Sequence, residues 1–360
     1  MVVNTVRKPV DSPRDRAGVL QIDGAHGEGG GQLVRTAVAV AAATGVPIRI
    51  VNIRALRRAP GLAAQHAAAV RAVAALCDAE CDGVRLHSPA LRFLPQRLHG
   101  GEFEIDVGTA GSIALVLQAL LPAAVASGER VVATIRGGTD VRAAPPVDYV
   151  RLVLLPLLET MGVRAELSVA RRGYYPRGGG VVRLALEPTA RLRPFAVAQA
   201  GPVARIEAHV HVAHLPQQIA ERMAGAARAE LPAAERFDAT VEVCDPELVS
   251  SPGGAIVLRA VTARTVLGAA QIAQRGVPAE QLGQAAGRML KADLQAGATL
   301  DVHASDQLLV FLALADGPSQ FRASQLTAHA STAMWLLEQL TSARFGVQPT
   351  PAGMLVHAQP

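Results

Sequence analysis

The amino-acid sequence predicts a mixed α/β (α+β) fold, made of three repeated strand–helix–strand–helix modules and a smaller inserted α/β domain. Three observations lead to this prediction. Short β-branched stretches alternate with longer stretches whose apolar residues follow the helical period. An apolar residue precedes an aspartate at the start of each module, at Ile22-Asp23, Ile105-Asp106 and Leu300-Asp301. Residues 190–277 depart from this plan. A supersecondary unit that recurs along a chain is typical of similar modules packed together.

The first module begins with a strand and a glycine-rich turn, "LQIDGAHGEGGG", over residues 20–31. A helix (32–45), a strand (47–54), a polar loop and a second helix (62–77) are predicted to follow. The second module repeats this order with a strand and turn (103–112), a helix (113–128), a strand (130–138), a loop and a helix (148–162). In the third module we expect a strand-to-helix turn (300–307), a helix (308–317), a strand (319–324) and a helix (331–340).

These elements predict the domain limits. Residues 1–18 are polar, contain prolines and lack the apolar stretch of a signal peptide, so a disordered tail is expected. Residues 19–189 and 278–360 form the main three-repeat domain. Residues 190–277 form the inserted domain, a βαββ piece after which the helix 278–297 returns to the main body.

Composition limits the class of protein. Half of the 360 residues are hydrophobic and 18% are charged, which is ordinary for a globular protein. No apolar run reaches the roughly 18–20 residues that a membrane span needs, so a cytoplasmic protein without a membrane partner is expected. The three cysteines include a C-x3-C pair, Cys77 and Cys81, which is a weak zinc signal.

The basic residues are almost all arginine. The net charge is +5, which suits an anionic partner, and Lys8 and Lys291 are the only lysines among 35 basic residues. Chemistry that needs a lysine nucleophile therefore has little support. Arginines after strands can hold phosphates bidentately. The candidates are Arg35, Arg54, Arg57, Arg58 and Arg142. The alternative for each of them is an ordinary solvated surface charge.

Two further stretches are candidates for a site. The glycine-rich turn lacks the context of a dinucleotide-binding fingerprint and has no lysine of a P-loop. It is either a turn that allows tight packing or a wall of a site to which Glu28 contributes charge. His329 lies near a helix start, and "HASDQ" (303–307) lies upstream of it. Helix capping by Ser305 or Asp306 is the structural alternative there.

Seven motifs together resemble the RNA 3′-terminal phosphate cyclase family, over about residues 19–345. They are "DGAHGEGGGQLVRTA", "IRALRRAPGLAAQH", "GTAGSIALVLQALLPA", "GGTDVRAAPPVDYV", "YYPRGGGVV", "SDQLLVFLALA" and "LTAHAST". The resemblance implies a fold of the cyclase/enolpyruvyl-transferase-like type, in which three repeats form the catalytic domain and a small domain is inserted. Fold alone does not determine function, because the enolpyruvyl transferases share this repeat unit with the cyclases.

The resemblance also implies the reaction. A histidine, His329 by motif position, attacks the α-phosphate of ATP and becomes adenylated. AMP passes to an RNA 3′-phosphate, and the neighbouring 2′-hydroxyl closes a 2′,3′-cyclic phosphate while AMP leaves. A neutral imidazole is a competent nucleophile near neutral pH, and the scarcity of lysine favours the same route.

The resemblance further implies roles for the candidate residues. Glu28 is expected to hold a divalent metal, Mg²⁺ or Mn²⁺, and Arg35, Arg54, Arg57 and Arg58 are expected to bind phosphates and the RNA end. The ATP-contacting positions are Gln118, His303, Ala304, Ser305, Asp306 and Gln307. The chain departs from the family pattern at His303, where tyrosine is common, at Ser305, where alanine is common, and at Ala333, where an asparagine usually follows the threonine. The glycine-rich turn would then face "HASDQ" and His329 across one composite site.

Three alternatives stay open at this point. A catalytically impaired relative that serves as a binding protein in ribosome assembly would lack the histidine. An enolpyruvyl transferase would need more lysine. A basic RNA-binding module would want more exposed aromatic residues than the ten phenylalanines and tyrosines present. ATP and RNA 3′-phosphate ends are the expected partners, and a homodimer is possible.

Overall fold

The computed structural model describes residues 18–233 and 236–360; apart from Gly18, the predicted tail lies outside them. The first sheet has the strand order β1-β2-β4-β3, in which β1 and β2 are parallel and the other pairs are antiparallel. Its elements and their helices are β1 (Leu20–Asp23), α1 (Gly31–Thr44), β2 (Ile48–Val51), α2 (Ala64–Leu76), β3 (Glu80–Asp82) and β4 (Leu91–Leu94).

The second sheet has the order β5-β6-β8-β7, with the same parallel first pair and the same antiparallel closing pairs. A π-helical turn, Val150–Leu154, joins its two short helices. The elements are β5 (Gly101–Asp106), α3 (Ile113–Ser127), β6 (Val131–Gly137), α4 (Val147–Tyr149), α5 (Leu155–Thr160), β7 (Ala165–Arg171) and β8 (Gly180–Leu186). The strands that close the first two sheets, β3, β4, β7 and β8, were not predicted.

The inserted segment carries its own sheet, of order β10-β9-β11-β12. The predicted βαββ arrangement is wrong in detail, because a further strand, β12, pairs with β11. The elements are β9 (Val203–Ala213), α6 (Gln217–Glu230), β10 (Phe237–Val243), β11 (Gly253–Thr262), β12 (Val266–Ile272) and α7 (Ala279–Gln295). Helix α7 shares a hydrophobic core with α6 and this sheet, although it lies beyond the predicted limit at 277. The domain limits themselves stay a prediction.

The third sheet has three strands in the order β13-β15-β14. The strand expected at Leu300 is wrong: Asp301 is the N-cap of a helix, and residues 303–307 are helical rather than a turn. A parallel bridge joins Ala196, just before the insertion, to Gln320 in β13. The elements are α8 (Val302–Ala313), β13 (Ser319–Ala323), α9 (Ala328–Leu340), β14 (Arg344–Thr350) and β15 (Gly353–Gln359).

Local sequence explains where the helices that carry the site begin. The hydroxyl of Ser112 accepts from the N–H of Leu115 at the start of α3, and the hydroxyl of Thr327 accepts from the N–H of Ala330 at the start of α9. Such caps satisfy N–H groups that have no partner within a helix. Most of the helices and the first, second and third sheets share one continuous apolar core. The mixed α/β class is confirmed, and no described helix has both the length and the apolarity to cross a membrane.

Candidate active site

The glycine-rich loop, residues 24–30, connects β1 to α1 and lies against α9. Gly27 and Gly29 have left-handed φ angles of 61° and 59°, which glycine adopts without strain. The backbone N–H of Glu28 donates to the Thr332 hydroxyl over 3.0 Å, and a side chain at position 27 would strike the same threonine. The loop therefore approaches α9 so closely that glycine is required at position 27.

This approach places Glu28 between a histidine and an arginine. Its carboxylate lies 3.4 Å from Nδ1 of His329 and forms an ion pair with Arg57. Arg57 also donates to the backbone carbonyl of Glu28 over 3.1 Å. The loop of the first module and the helix of the last one thus contribute to one group of side chains.

His329 is the second residue of α9, and its side chain is 46% exposed. Partial burial lowers its pKa, and the nearby charges of Arg35 and Arg57 lower it further. The imidazole is therefore neutral near pH 7. Glu28 faces Nδ1, which favours the tautomer with the proton on Nδ1 and leaves the Nε2 lone pair free. A neutral imidazole of this kind can act as a nucleophile.

A cavity of about 420 Å³ opens beside His329. Arg35, which is fully buried, donates to the Gln118 side chain over 3.0 Å at the cavity wall. Burial lowers the pKa of Arg35 to about 10, so the guanidinium stays charged at neutral pH. Of the predicted site residues, Arg35, Gln118, His303, Asp306, Gln307 and His329 line this cavity.

Three buried polar atoms among the described residues have no hydrogen-bond partner and belong to side chains of this cavity. They are Oε1 of Gln32, Oε1 of Gln307 and Nε of Arg35. Buried polar atoms are almost always paired, with protein, water or ligand. The cavity is therefore suited to a polar ligand, or to water, that supplies the missing donors and acceptor.

Asp306 joins the two helices that form the cavity floor. Its carboxylate accepts a hydrogen bond from the Thr327 hydroxyl over 2.7 Å, and Thr327 caps α9 just before His329. Burial raises the pKa of Asp306 to about 7, and the charge of Asp301 adds to the rise. Asp306 therefore fixes the start of α9 relative to α8.

Other predicted site residues lie apart from the cavity. Arg54 donates to the carbonyl of Gly61 over 2.7 Å, and burial lowers its pKa. Arg58 is exposed. Ala304 and Ser305 are buried inside α8, where the Ser305 hydroxyl donates to the carbonyl of Val302. The alternative prediction, that Ser305 or Asp306 caps a helix, is wrong, because Asp301 is the residue that caps α8.

Two further walls complete the cavity; Arg142 marked the first in the sequence, and the second was missed. The loop that carries Arg142 and Pro146 leads to Tyr149, whose hydroxyl donates to Asp301 over 2.6 Å and whose ring meets His303 edge-on at 6.0 Å. The second wall is the end of β12 in the inserted sheet, at Gln271. In the first wall only Arg142 was a candidate, and no signal marked the second, because β12 was not predicted as a strand.

A metal held by protein ligands alone does not fit this site. No group of three or more histidine, cysteine, aspartate or glutamate side chains lies close enough to bind a metal ion within the described ranges. Glu28 is a carboxylate beside His329, and it already contacts Arg57. One carboxylate together with substrate phosphates is, however, a common way of holding Mg²⁺.

A free imidazole nitrogen between arginines, beside a polar cavity, defines the class of an enzyme that acts on phosphate groups. The family model for RNA 3′-terminal phosphate cyclase matches residues 26–347. The chain is similar to an RNA 3′-terminal phosphate cyclase of Nitrosospira multiformis, with 50% identity over 94% of this chain and 96% of the relative. It is similar to those of Methanopyrus kandleri (44% identity, 89% and 93% covered) and Ignicoccus hospitalis (44%, 87% and 90%). The chain belongs to the RNA 3′-terminal phosphate cyclase family.

Proposed function

We propose that this chain converts an RNA 3′-terminal phosphate to a 2′,3′-cyclic phosphate and consumes ATP. Membership of the cyclase family implies both substrates. The single observation that carries the proposal is the state of His329: a neutral imidazole beside the cavity, with Nδ1 facing Glu28 and Nε2 free. The alternative of a non-enzymatic RNA-binding module gives no reason for this arrangement.

The first step is attack of His329 Nε2 on the α-phosphorus of ATP. A nitrogen–phosphorus bond forms, the bond to the β-phosphate oxygen breaks, and pyrophosphate leaves. An oxygen of the RNA 3′-phosphate then attacks the same phosphorus and releases the histidine, which gives RNA(3′)pp(5′)A. The 2′-hydroxyl attacks the 3′-phosphorus, loses its proton to solvent, and AMP departs as the ring closes.

The charges around the cavity suit this transfer. Arg35 and Arg57 lie near His329 and would stabilise charge on the transferring phosphoryl group. The free oxygens of Gln32 and Gln307 are acceptors for N–H or O–H groups of the nucleoside. Gln118, His303 and Asp306 complete the proposed ATP contacts at the cavity wall. Arg54 and Arg58 lie in the same loop as Arg57, and Arg58 is exposed to an incoming RNA end.

A divalent metal, Mg²⁺ or Mn²⁺, belongs to the proposal as a companion of ATP. Glu28 is the residue that would hold it, together with phosphate oxygens of the nucleotide. Bound there, the metal would offset negative charge on the phosphates. Arg57 would then exchange part of its contact with Glu28 for contact with phosphate.

A catalytically impaired binding protein is the second candidate function, and the departure at Ala333 is what favours it. Ala333 borders a small space of about 30 Å³, which Gln32 and Arg35 also line. A space of this size holds one water molecule, which would stand in for the missing side-chain amide. The departure is therefore compatible with catalysis.

We also infer that the first, second and third sheets are copies of one module. The first two share strand order and pairing directions, and β13-β15-β14 repeats the last three positions of that order. Ala196, which pairs in parallel with β13, occupies the position of the missing first strand. A cytoplasmic location and a homodimer stay predictions.

The test is incubation with α-labelled ATP and Mg²⁺ or Mn²⁺, followed by a denaturing gel. Wild type is compared with His329→Ala and with the control His357→Ala, which lies in β15 outside the cavity lining. We expect an acid-labile, base-stable label in wild type and control that His329→Ala lacks. A folded wild type without label would favour the binding protein. Label that persists in His329→Ala would assign the nucleophile to another residue.

A further inference from the structure

A group of charged side chains is buried between the second module and the inserted sheet, away from His329. We call it the buried charge cluster; its members are Asp140, Asp148, Arg172, His211 and Glu242. All but Glu242 are at most 6% exposed. Charges are buried only at high cost unless they are paired. A cluster of this size therefore needs a structural or functional reason.

His211 is the bridge of the cluster. It lies on β9 of the inserted sheet, and its two ring nitrogens face two carboxylates of the second module, Asp140 and Asp148, each over 3.3 Å. Arg172 lies 2.9 Å from Asp148 and 2.8 Å from Glu242 of β10. The cluster thus crosses the boundary between the main body and the inserted sheet twice.

The main-body side of the cluster leads directly to the cavity. Asp140 and Asp148 enclose the loop whose residues Arg142 to Pro146 form one cavity wall. Tyr149, the residue after Asp148, lines the cavity as well and contacts His303. Whatever holds Asp140 and Asp148 in place also holds this wall.

The inserted sheet touches the cavity at a second point. The backbone N–H of Gly268 in β12 donates to the Asp301 carboxylate over 2.8 Å, and the same carboxylate accepts from the Tyr149 hydroxyl. Asp301 caps α8, the helix that carries His303, Asp306 and Gln307. Ile272, four residues after Gly268 in β12, lines the cavity together with its neighbours.

We propose that His211 is a positioning residue for ATP: it locks the inserted sheet onto the two ends of the loop 140–148 and so holds the cavity wall in its ligand-binding shape. The inserted domain is then a part of the nucleotide site. This inference rests on the proposed function for the identity of the ligand. It assigns no chemical step to His211, which touches neither ATP nor His329.

The charge of His211 matters for this role. Burial lowers the pKa of His211, but Asp140 and Asp148 outweigh burial and raise the pKa above its ordinary value. The protonated ring carries an N–H toward each carboxylate, 3.3 Å away, whereas the neutral ring carries only one. Raising the pH through that pKa should therefore loosen the wall and weaken ATP binding. The charged or titratable groups that face His211 are Asp140, Asp148, Arg172, Tyr174 and Glu242; Arg151 pairs with Asp148, and His209 lies nearest Glu207.

The experiment compares the full chain with His211→Gln and with His209→Gln, a control on the same strand that lies nearest Glu207. ATP binding is measured by equilibrium dialysis, and labelling by single-turnover kinetics, both between pH 6 and pH 9. For His211→Gln we expect Kd for ATP to rise about tenfold, while the labelling rate at saturating ATP stays within about twofold. The rise of Kd with pH seen in wild type should vanish in His211→Gln. His209→Gln should behave as wild type.

Several outcomes would overturn the inference: an unchanged Kd in folded His211→Gln, the same change in His209→Gln, or a fall in the saturated labelling rate with Kd constant. If His211→Gln fails to fold, Glu242→Gln replaces it, because that carboxylate is 53% exposed at the edge of the cluster. For Glu242→Gln we expect Kd for ATP to rise by about threefold. An unchanged Kd in this variant would overturn the inference. A wild type that binds ATP without label would refute the proposed function alone.

Discussion

Two histidines of this protein lie among carboxylates and arginines, yet their surroundings shift their pKa values in opposite directions. His329 is 46% exposed, faces one carboxylate and has a lowered pKa. His211 is 2% exposed, faces two carboxylates and has a raised pKa. Burial alone would give His211 the lower pKa of the two, because a low dielectric disfavours the charged form of the ring.

The difference shows that the balance of neighbouring charges, rather than exposure, decides what each imidazole can do. Around His329 the arginines prevail, and the neutral ring keeps a lone pair for chemistry. Around His211 the carboxylates prevail and favour the charged form of a ring that joins two parts of the structure. Each of the following substitutions changes one side of this contrast.

The largest effect is expected from Arg172→Met in the buried charge cluster. Arg172 is 6% exposed and contacts Asp148 and Glu242, so its loss leaves the three carboxylates of the cluster with only His211 and the half-exposed Arg151 as cations among the described residues. Removing one partner of a buried ion pair typically costs about 3–5 kcal/mol. Urea denaturation should show this loss in the free energy of unfolding. Arg171→Met, at the exposed neighbour, should stay close to wild type; equal stability of both variants would contradict the account.

Glu28→Gln should slow labelling by about ten- to a hundredfold, the range found when a partner that orients a functional histidine is removed. The neutral amide holds the Nδ1 proton of His329 less strongly and releases Arg57. Single-turnover labelling at saturating ATP measures the effect. Asp23→Asn, at the exposed end of β1 just before the loop, is the matched control. An unaltered rate in Glu28→Gln would mean that Glu28 does not orient His329.

Arg57→Gln should move the pH profile of labelling without abolishing it. Arg57 lowers the pKa of His329, so its removal raises that pKa toward the ordinary value of about 6.5. The acid limb of the labelling rate should then shift to higher pH. Arg58→Gln, next in the exposed loop, should leave the limb in place. A shift to lower pH in Arg57→Gln would contradict the sign of the interaction.

The smallest effect is expected from Asp306→Asn, and it is a gain in stability. The pKa of Asp306 is raised to about 7, so between about pH 4 and pH 7 the folded protein keeps a proton that the unfolded chain releases. Its contribution to stability therefore falls as the pH rises through this window. Asparagine avoids the buried charge and can still accept from Thr327, so we expect about 1 kcal/mol of stabilisation at pH 8. At pH 4 the thermal unfolding of Asp306→Asn should match that of wild type. The control Asp316→Asn should unfold like wild type at both pH values.

The sequence sufficed for the long helices and for strands at module starts. Helices α1 and α3 end in left-handed glycines, Gly45 and Gly128, and their apolar residues follow the helical period. It failed for β3 and β7 because these give little alternation of buried and exposed residues: every residue of β3 is exposed. The strands β4 and β8 do alternate and were missed as well. It also failed at Leu300, where the apolar–Asp pair that begins a strand in the other modules is a helix cap.

The sequence predicted which types of residue the candidate site contains, but not how they are arranged in space. His329 and Glu28 were chosen by resemblance, because residues so far apart in sequence show no spacing that indicates contact. Within one loop, Arg57 reaches Glu28 and Arg54 turns back to Gly61, which depends on loop conformation that no periodicity encodes. The buried charge cluster was invisible because its members come from four separate segments, each with an ordinary polar residue.

One hydroxyl group sets the order in which this enzyme can become active during synthesis. Thr332 holds the backbone of Glu28, 304 positions earlier in the chain, and lies one turn after His329. While the ribosome is still translating the second sheet or the insertion, the chain has a glycine-rich loop but no His329 to place against it. Adenylation of His329, as proposed above, would therefore begin only after α9 has emerged, so that every molecule able to consume ATP would already carry the inserted sheet and the complete cavity.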